Sequence, residues 1–306
     1  MKKQILIILT SPPASGKTYW INSFQEEIPL EKLLIISPLR ALADECRGRW
    51  GEKMEFMTPE EWLVKKPLHR LVIFDEFHLF FYWGDTFRPL MWEVFFEISQ
   101  SSEMVFLLTA TLSIDMQNEV RHFSAQFDQI FWLNQGNQIL KFSPARYVKA
   151  PGRGWMISQI KTTIPRTDVN LIFCKYREEV FSLEKELTDS GYVCLSCVGG
   201  ESKYMAENLK KVSAPDFIIS TTVLSHGVNL PRIKKIYFTY QVQNLDFWIQ
   251  MVARGGRRGE EYEVYALEKP HGLKWNPLIN LMLVAWLSLK QKFSRRTFFS
   301  SPFDFG

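Results

Sequence analysis

The sequence predicts an α/β protein made of two tandem, doubly wound parallel-sheet domains. Short apolar runs suited to buried parallel strands alternate with segments of helical period along the whole chain, which is the pattern such sheets require. The length, 306 residues, fits two domains of about 150 each. A basic stretch at 142–154, broken by Pro144, Pro151, Gly152 and Gly154, separates the halves.

In the first half the strand-like runs fall at 4–10, 33–37, 71–75, 104–109 and 129–133. In the second they fall at 170–174, 193–198, 217–221, 235–240 and 262–267. The expected organisation is a first domain at 1–141, a basic linker at 142–154, a second domain at 155–270, and a C-terminal helix with a basic aromatic tail at 271–306. That helix reads over 276–293, with its apolar side expected to pack on the second domain. No internal repeat or low-complexity tract interrupts this scheme.

Composition sets looser bounds. A net charge of +4 permits nucleic-acid binding without demanding it. The charge is unevenly spread: residues 129–167 hold no acid but carry Lys141, Arg146, Lys149, Arg153, Lys161 and Arg166. From His271 onward Lys274, Lys290, Lys292, Arg295 and Arg296 face only Asp304. Either stretch could equally be a solvated linker or tail. The four cysteines are irregularly spaced, which fits a reducing cytoplasm, and Cys194 and Cys197 lie three apart in an expected strand, on opposite faces, where a structural role is the simpler reading. The N-terminal M-K-K-Q-I-L-I-I-L-T reads as a buried first strand, and the apolar run at 278–289 is shorter than the roughly 20 residues a bilayer span needs. A soluble, cytoplasmic monomer without membrane contact is expected.

Two clusters carry chemistry. S-P-P-A-S-G-K-T at 11–18 follows a strand and opens a helix, as a phosphate-binding loop does, with Ser11 at the position of the first glycine. Pro12 and Pro13 have no N–H, so the phosphate donors must come from Ala14, Ser15, Gly16, Lys17 and Thr18. Lys17 suits the β and γ phosphates of ATP, and the Thr18 hydroxyl suits magnesium. The second cluster is L-V-I-F-D-E-F-H at 71–78, an apolar strand ending in two carboxylates at the sheet edge where open α/β sheets bind ligands. Asp75 fits the magnesium shell, and Glu76 fits the base that orients the attacking water.

With these motifs placed, the chain resembles a superfamily 2 helicase of the DExH-box branch in a minimal two-lobe form. S-P-P-A-S-G-K-T resembles motif I, S-P-L-R-A-L-A at 37–43 motif Ia, M-T-P-E at 57–60 motif Ib, D-E-F-H motif II and T-A-T at 109–111 motif III. L-I-F-C-K at 171–175 resembles motif IV, T-T-V-L-S-H-G-V-N-L-P at 221–231 motif V, and Q-M-V-A-R-G-G-R-R-G at 250–259 motif VI. The resemblance implies two RecA-like domains with the nucleotide cleft between them. It implies that Arg254 and Arg257 reach the γ phosphate, that Gly227 and Asn229 meet the nucleotide, and that His78, Thr109, Thr111 and Gln250 couple it to lobe movement. Arg40, Thr58 and Thr221, with Lys175 and Arg177, would hold strand phosphates, contacts that position without reading sequence.

The chain departs from the family at Ser11 and Ala14 in motif I and at Ala253 in motif VI, all small-for-small changes. With the first strand expected at 4–10, no adenine-reading segment is expected ahead of it, and only 18 residues, 232–249, separate motifs V and VI, too few for the expected strand-separating hairpin. Phe80, Phe81, Tyr82 and Trp83, or the tail residues Phe298, Phe299, Phe303 and Phe305, could stack on bases or simply pack. The expected function is an ATP- and magnesium-dependent translocase gripping a nucleic acid, with single-stranded DNA favoured and RNA possible. Alternatives are an RNA helicase, a DNA-remodelling or annealing ATPase, a single-lobe phosphotransferase or switch ATPase, and a non-catalytic nucleic-acid-binding module. The tail could dock a protein partner.

Overall fold

The computed structural model describes residues 3–17, 20–21, 33–50, 54–162, 169–212, 214–225, 229–268 and 277–297. The chain divides into two compact units, one formed by Met1–Lys141 and the other by Phe142–Ser225 with Asn229–Gly306.

In the first unit β1 (Ile5–Thr10), β2 (Leu33–Ile36), β3 (Met54–Met57), β4 (Leu71–Phe74), β5 (Met104–Thr109) and β6 (Gln129–Asn134) form one sheet in the order β3-β2-β4-β5-β1-β6. Every pairing is parallel, with Thr10 opposite Thr109 and Phe74 opposite Leu107. Helices α1 (Arg40–Trp50), α2 (Pro59–Lys65), α3 (Leu90–Ser101) and α4 (Ile114–Ser124) connect the strands. Alternate strand residues bury on opposite faces. Phe74 and Leu107 join a cluster with Phe77, Phe80, Phe95 and Val94, while Ile73, Phe106 and Leu108 join Ala43 and Cys46. Such two-sided burial is why these strands read as unbroken apolar runs.

A short π-helical turn, Phe80–Gly84, follows β4. Phe80 and Phe81 are buried in the aromatic cluster, and Tyr82 and Trp83 pack against it. Residues 80–83 are therefore packing residues, and a base-stacking role for this cluster is set aside. The tail phenylalanines at 298–305 lie outside the described residues.

In the second unit β7 (Arg146–Lys149), β8 (Val169–Phe173), β9 (Cys194–Cys197), β10 (Phe217–Ser220), β11 (Ile233–Phe238) and β12 (Glu263–Ala266) form a second parallel sheet, ordered β7-β12-β11-β8-β10-β9. Helices α5 (Arg153–Thr162), α6 (Arg177–Asp189), α7 (Ser202–Lys211), α8 (Leu245–Val252) and α9 (Pro277–Thr297) complete it.

Two strands were not expected from the sequence, β3 and β7. Both are four residues long, M-E-F-M and R-Y-V-K, and both lie at sheet edges, where polar residues are tolerated and the apolar signal fades. The stretch expected as a linker thus contributes an edge strand, and Arg146 pairs with Glu263 across it at 3.4 Å.

Helix α9 packs on the second unit, as expected, but only part of its apolar side does so. Asn280 accepts from the Lys149 N–H at 2.8 Å and donates to the Lys149 carbonyl at 3.1 Å, so an amide side chain covers the open edge of β7. Ser288 accepts from the Trp155 indole at 3.0 Å, and Val284 and Leu287 reach the core. Leu278, Leu281 and Met282 stay in solvent. The helix packs through a mixed face, and among its described residues Leu281, Met282 and Leu289 are exposed.

Burial pushes the Cys194 thiol up to about 11 and that of Cys197 to about 12, so both stay protonated and act as packing groups. Among the described residues no helix is long and apolar enough to cross a membrane.

Candidate nucleotide and nucleic-acid site

The carboxyl ends of β4, β5 and β1 are consecutive in the first sheet, and each runs into a segment singled out in the sequence. After β1 the loop is held by its own polar groups. Ser11, buried, takes the Thr109 carbonyl with its N–H at 3.0 Å, and its hydroxyl donates to the Ser15 hydroxyl at 2.6 Å. A serine in the first glycine position therefore ties the loop across its mouth. Ala14 (φ 60°) and Gly16 (φ 93°) both hold left-handed backbone, a conformation used in anion-binding loops. Lys17 donates to the carbonyls of Ser11 and Pro12 at 3.1 and 3.4 Å, placing its ammonium over the loop. Thr18 lies outside the described residues.

After β4, Asp75 is buried and Glu76 holds φ 49°, a conformation costly for a side chain with a Cβ. The backbone is pinned on both sides: Asp75 N–H bonds Ile36 O and Phe77 N–H bonds Leu108 O, both at 2.9 Å. Burial, followed by the neighbouring Glu76 charge, pushes the Asp75 carboxyl up to about 7, while the Lys17 ammonium opposes the rise. A carboxylate so desolvated needs a cation, and its donor chemistry fits magnesium. Glu76 Oε2 is buried with no hydrogen-bond partner among the described residues, 3.5 Å from His78 Nδ1.

His78 is fully buried, with Nδ1 2.9 Å from the Thr109 hydroxyl. That hydroxyl already gives its single proton to the Thr111 carbonyl at 2.8 Å, so Nδ1 must be the donor, which fixes the tautomer. The chain Glu76, His78, Thr109, Thr111 thus links the ends of β4 and β5. Asn137, which the sequence did not single out, holds the next turn by accepting from Leu112 N–H at 2.7 Å and donating to Leu112 O at 2.8 Å. An asparagine in a polar loop carries no signal of this kind.

In the second unit Asn244 caps α8 through the N–H groups of Asp246 and Phe247. Gln250 and Arg254 are both buried, and Gln250 Nε2 has no hydrogen-bond partner among the described residues. Arg257 is half-buried, its Nε 3.4 Å from the Ala253 carbonyl, while Arg258 is exposed. The glycines between the arginines serve Tyr262, whose ring is fully buried and whose hydroxyl donates to Phe142 O at 2.9 Å. A Cβ on Gly255 would lie 2.2 Å from that ring, and Gly256 has φ 65°. Gly255→Ala should therefore destabilise the second unit by about 1–3 kcal/mol through overpacking, read as a lowered thermal midpoint, and an unchanged midpoint would contradict this packing.

The phosphate-contact candidates fall on both units. Arg40, exposed, opens α1. Thr58 caps α2, its oxygen accepting from Glu61 N–H at 3.3 Å while Glu61 returns a bond to Thr58 N–H, so its oxygen also has a structural duty. Lys175 and Arg177, both exposed, follow β8, and Thr221 follows the adjacent β10. Asn229 is exposed, and Gly227 lies outside the described residues.

Comparison with known proteins bears on both units. Residues 155–259 match the helicase conserved C-terminal domain. This segment runs from α5 through the two arginines of 254 and 257. Among solved structures, the chain is similar to S. cerevisiae Dbp5 bound to RNA and ADP BeF3, with a TM-score of 0.67 at 13% identity over 92% of this chain and 82% of that one. It is also similar to Mss116p (NTE and C-tail double deletion) bound to ssRNA and AMP-PNP, with a TM-score of 0.65 at 15% identity over 87% and 66% of the two chains. The DEAD-box helicase Mss116 bound to ssRNA and UDP-BeF gives 0.67 at 13% identity over 94% and 74%. At such identity these likenesses establish the fold: both units have the RecA-like parallel-sheet topology of helicase structures. No curated protein matches the chain in sequence.

Proposed function

We propose that the chain is an ATP- and magnesium-dependent helicase or translocase of superfamily 2, in its DExH-box branch. It is an enzyme, a nucleic-acid-dependent ATPase. The observation that carries the reading is the cluster of buried Asp75, His78 and Thr109 with half-buried Glu76 at strand ends beside Lys17, because it joins a phosphate loop to a strained carboxylate. His78 in D-E-F-H supports the DExH assignment.

In this reading Ala14, Ser15, Gly16, Lys17 and Thr18 bind the phosphates. Asp75 and Thr18 would hold magnesium, which when bound neutralises charge building on the γ phosphate. Glu76 orients and deprotonates the attacking water, and His78, Thr109, Thr111 and Gln250 couple hydrolysis to movement. From the second unit Arg254 and Arg257 stabilise the transferring phosphate, with Gly227 and Asn229 beside the nucleotide. Arg40, Thr58, Lys175, Arg177 and Thr221 grip strand phosphates.

The polymer is DNA or RNA. Phosphate contacts do not sense the 2′-hydroxyl, and the solved structures with this fold named above hold RNA, so RNA stands level with single-stranded DNA. The test is ATP turnover with single-stranded DNA, duplex DNA and RNA side by side. Lys17→Ala should abolish the stimulated turnover; a variant that hydrolyses fully would sink the assignment. Absence of stimulation by any polymer would favour the phosphotransferase alternative.

A further inference from the structure

We infer that Tyr176 is a base-stacking residue, and that the loop carrying it binds single-stranded nucleic acid through a base as well as through phosphates. The inference rests on the proposed function and adds to it a contact with the base.

Tyr176 stands between Lys175 and Arg177 at the carboxyl end of β8, with 58% of its surface in solvent. Its position is the N-cap of α6, where Ser, Thr, Asp or Asn would stabilise the helix, and its side chain makes no capping bond. Helix stability therefore gives no reason for a tyrosine here. The ring also has no place in the core; the Lys175 ammonium lies over it at 5.1 Å from the centroid. An exposed aromatic with an ammonium at its face and an arginine next in sequence suits a nucleobase, because every base offers a π-face and the adjoining phosphate meets the charge.

The backbone beneath the ring is fixed. Cys174 N–H bonds Ser220 O at 2.8 Å, and Lys175 N–H bonds Glu179 Oε2 at 3.1 Å. The other Glu179 oxygen accepts from the Thr239 hydroxyl at 3.0 Å and pairs with Arg153. Glu179 thereby ties the loop to the end of β11 and the start of α5. Because β10 lies beside β8, Thr221 emerges at the same sheet edge as Lys175, Tyr176 and Arg177. A hydroxyl, two cations and an aromatic ring held on a rigid edge form a surface prepared before binding, which limits the entropy lost on association.

The test compares two strands of equal length, a single-stranded oligonucleotide and its fully abasic counterpart, by fluorescence anisotropy with wild type, Tyr176→Ala and Tyr176→Phe. Tyr176→Ala should weaken binding of the base-bearing strand about tenfold, within the range of one aromatic stack, and change the abasic strand by less than about twofold. Tyr176→Phe should stay within about twofold of wild type on both. Unchanged binding of the base-bearing strand by Tyr176→Ala would overturn the inference, as would equal weakening on both strands. Wild type binding neither strand would overturn the proposed function and this inference together.

Discussion

Glu76→Gln will retain ATP binding and lose about 10²–10⁴ of the nucleic-acid-stimulated turnover, the contribution of a well-placed general base. Glutamine keeps the size and the polar contacts of the side chain but cannot accept a proton. The structure gives reasons to expect the loss to fall on chemistry. Glu76 holds φ 49°, and the hydrogen bonds from Asp75 and Phe77 on either side keep it there. Strain of this kind persists only where the surroundings enforce it, and it gathers at reacting groups. Its Oε2 is buried and makes no hydrogen bond among the described residues, so an acceptor is held ready near His78. Nucleotide affinity from a fluorescent analogue, set against phosphate release in a single turnover, separates the two effects. Turnover at the wild-type level would remove Glu76 from the role of base, and loss of affinity with unchanged turnover would make it a binding group.

Much of this was legible in the sequence, and for identifiable reasons. The central strands are buried on both faces, so I-L-I-I-L-T and L-V-I-F announce themselves without any periodicity argument. The phosphate loop and D-E-F-H are contiguous, and local sequence therefore preserves their chemistry. The edge strands were not legible: R-Y-V-K pairs on one side with β12 and is finished on the other by Asn280, more than a hundred residues away. The same holds for Asn137 beneath the turn after β5 and for Glu179 beneath the Tyr176 loop, whose roles arise only when distant backbone is brought to them. Phe80 and Phe81 could not be sorted by type alone, since stacking and packing use the same ring; burial against Trp92 and Phe95 decides for packing. The apolar side of α9 shows the converse, because amphipathic spacing says which residues share a face but not that a neighbour will cover it.

Arg257→Ala will bind ATP as wild type does and lose about 10³–10⁵ of the stimulated rate, as removal of an arginine that meets a transferring phosphate does elsewhere. Arg257→Lys should not recover it, because an ammonium lacks the planar fork that engages two phosphate oxygens at once. Arg257 makes a cleaner probe than Arg254. Arg254 is almost wholly buried, so its removal would disturb packing and charge in the second unit along with any role at phosphate. Arg257 is only half-buried, on the glycine turn beyond α8, so its removal uncovers less buried charge than removal of Arg254 would. A fall in kcat with unchanged nucleotide affinity would mean that the guanidinium acts in the transition state and not in the ground state. The variant therefore discriminates between functions as well as between residues. A single-lobe phosphotransferase has no use for an arginine in residues 155–259, and full activity of Arg257→Ala would leave that reading standing while ending the two-lobe one.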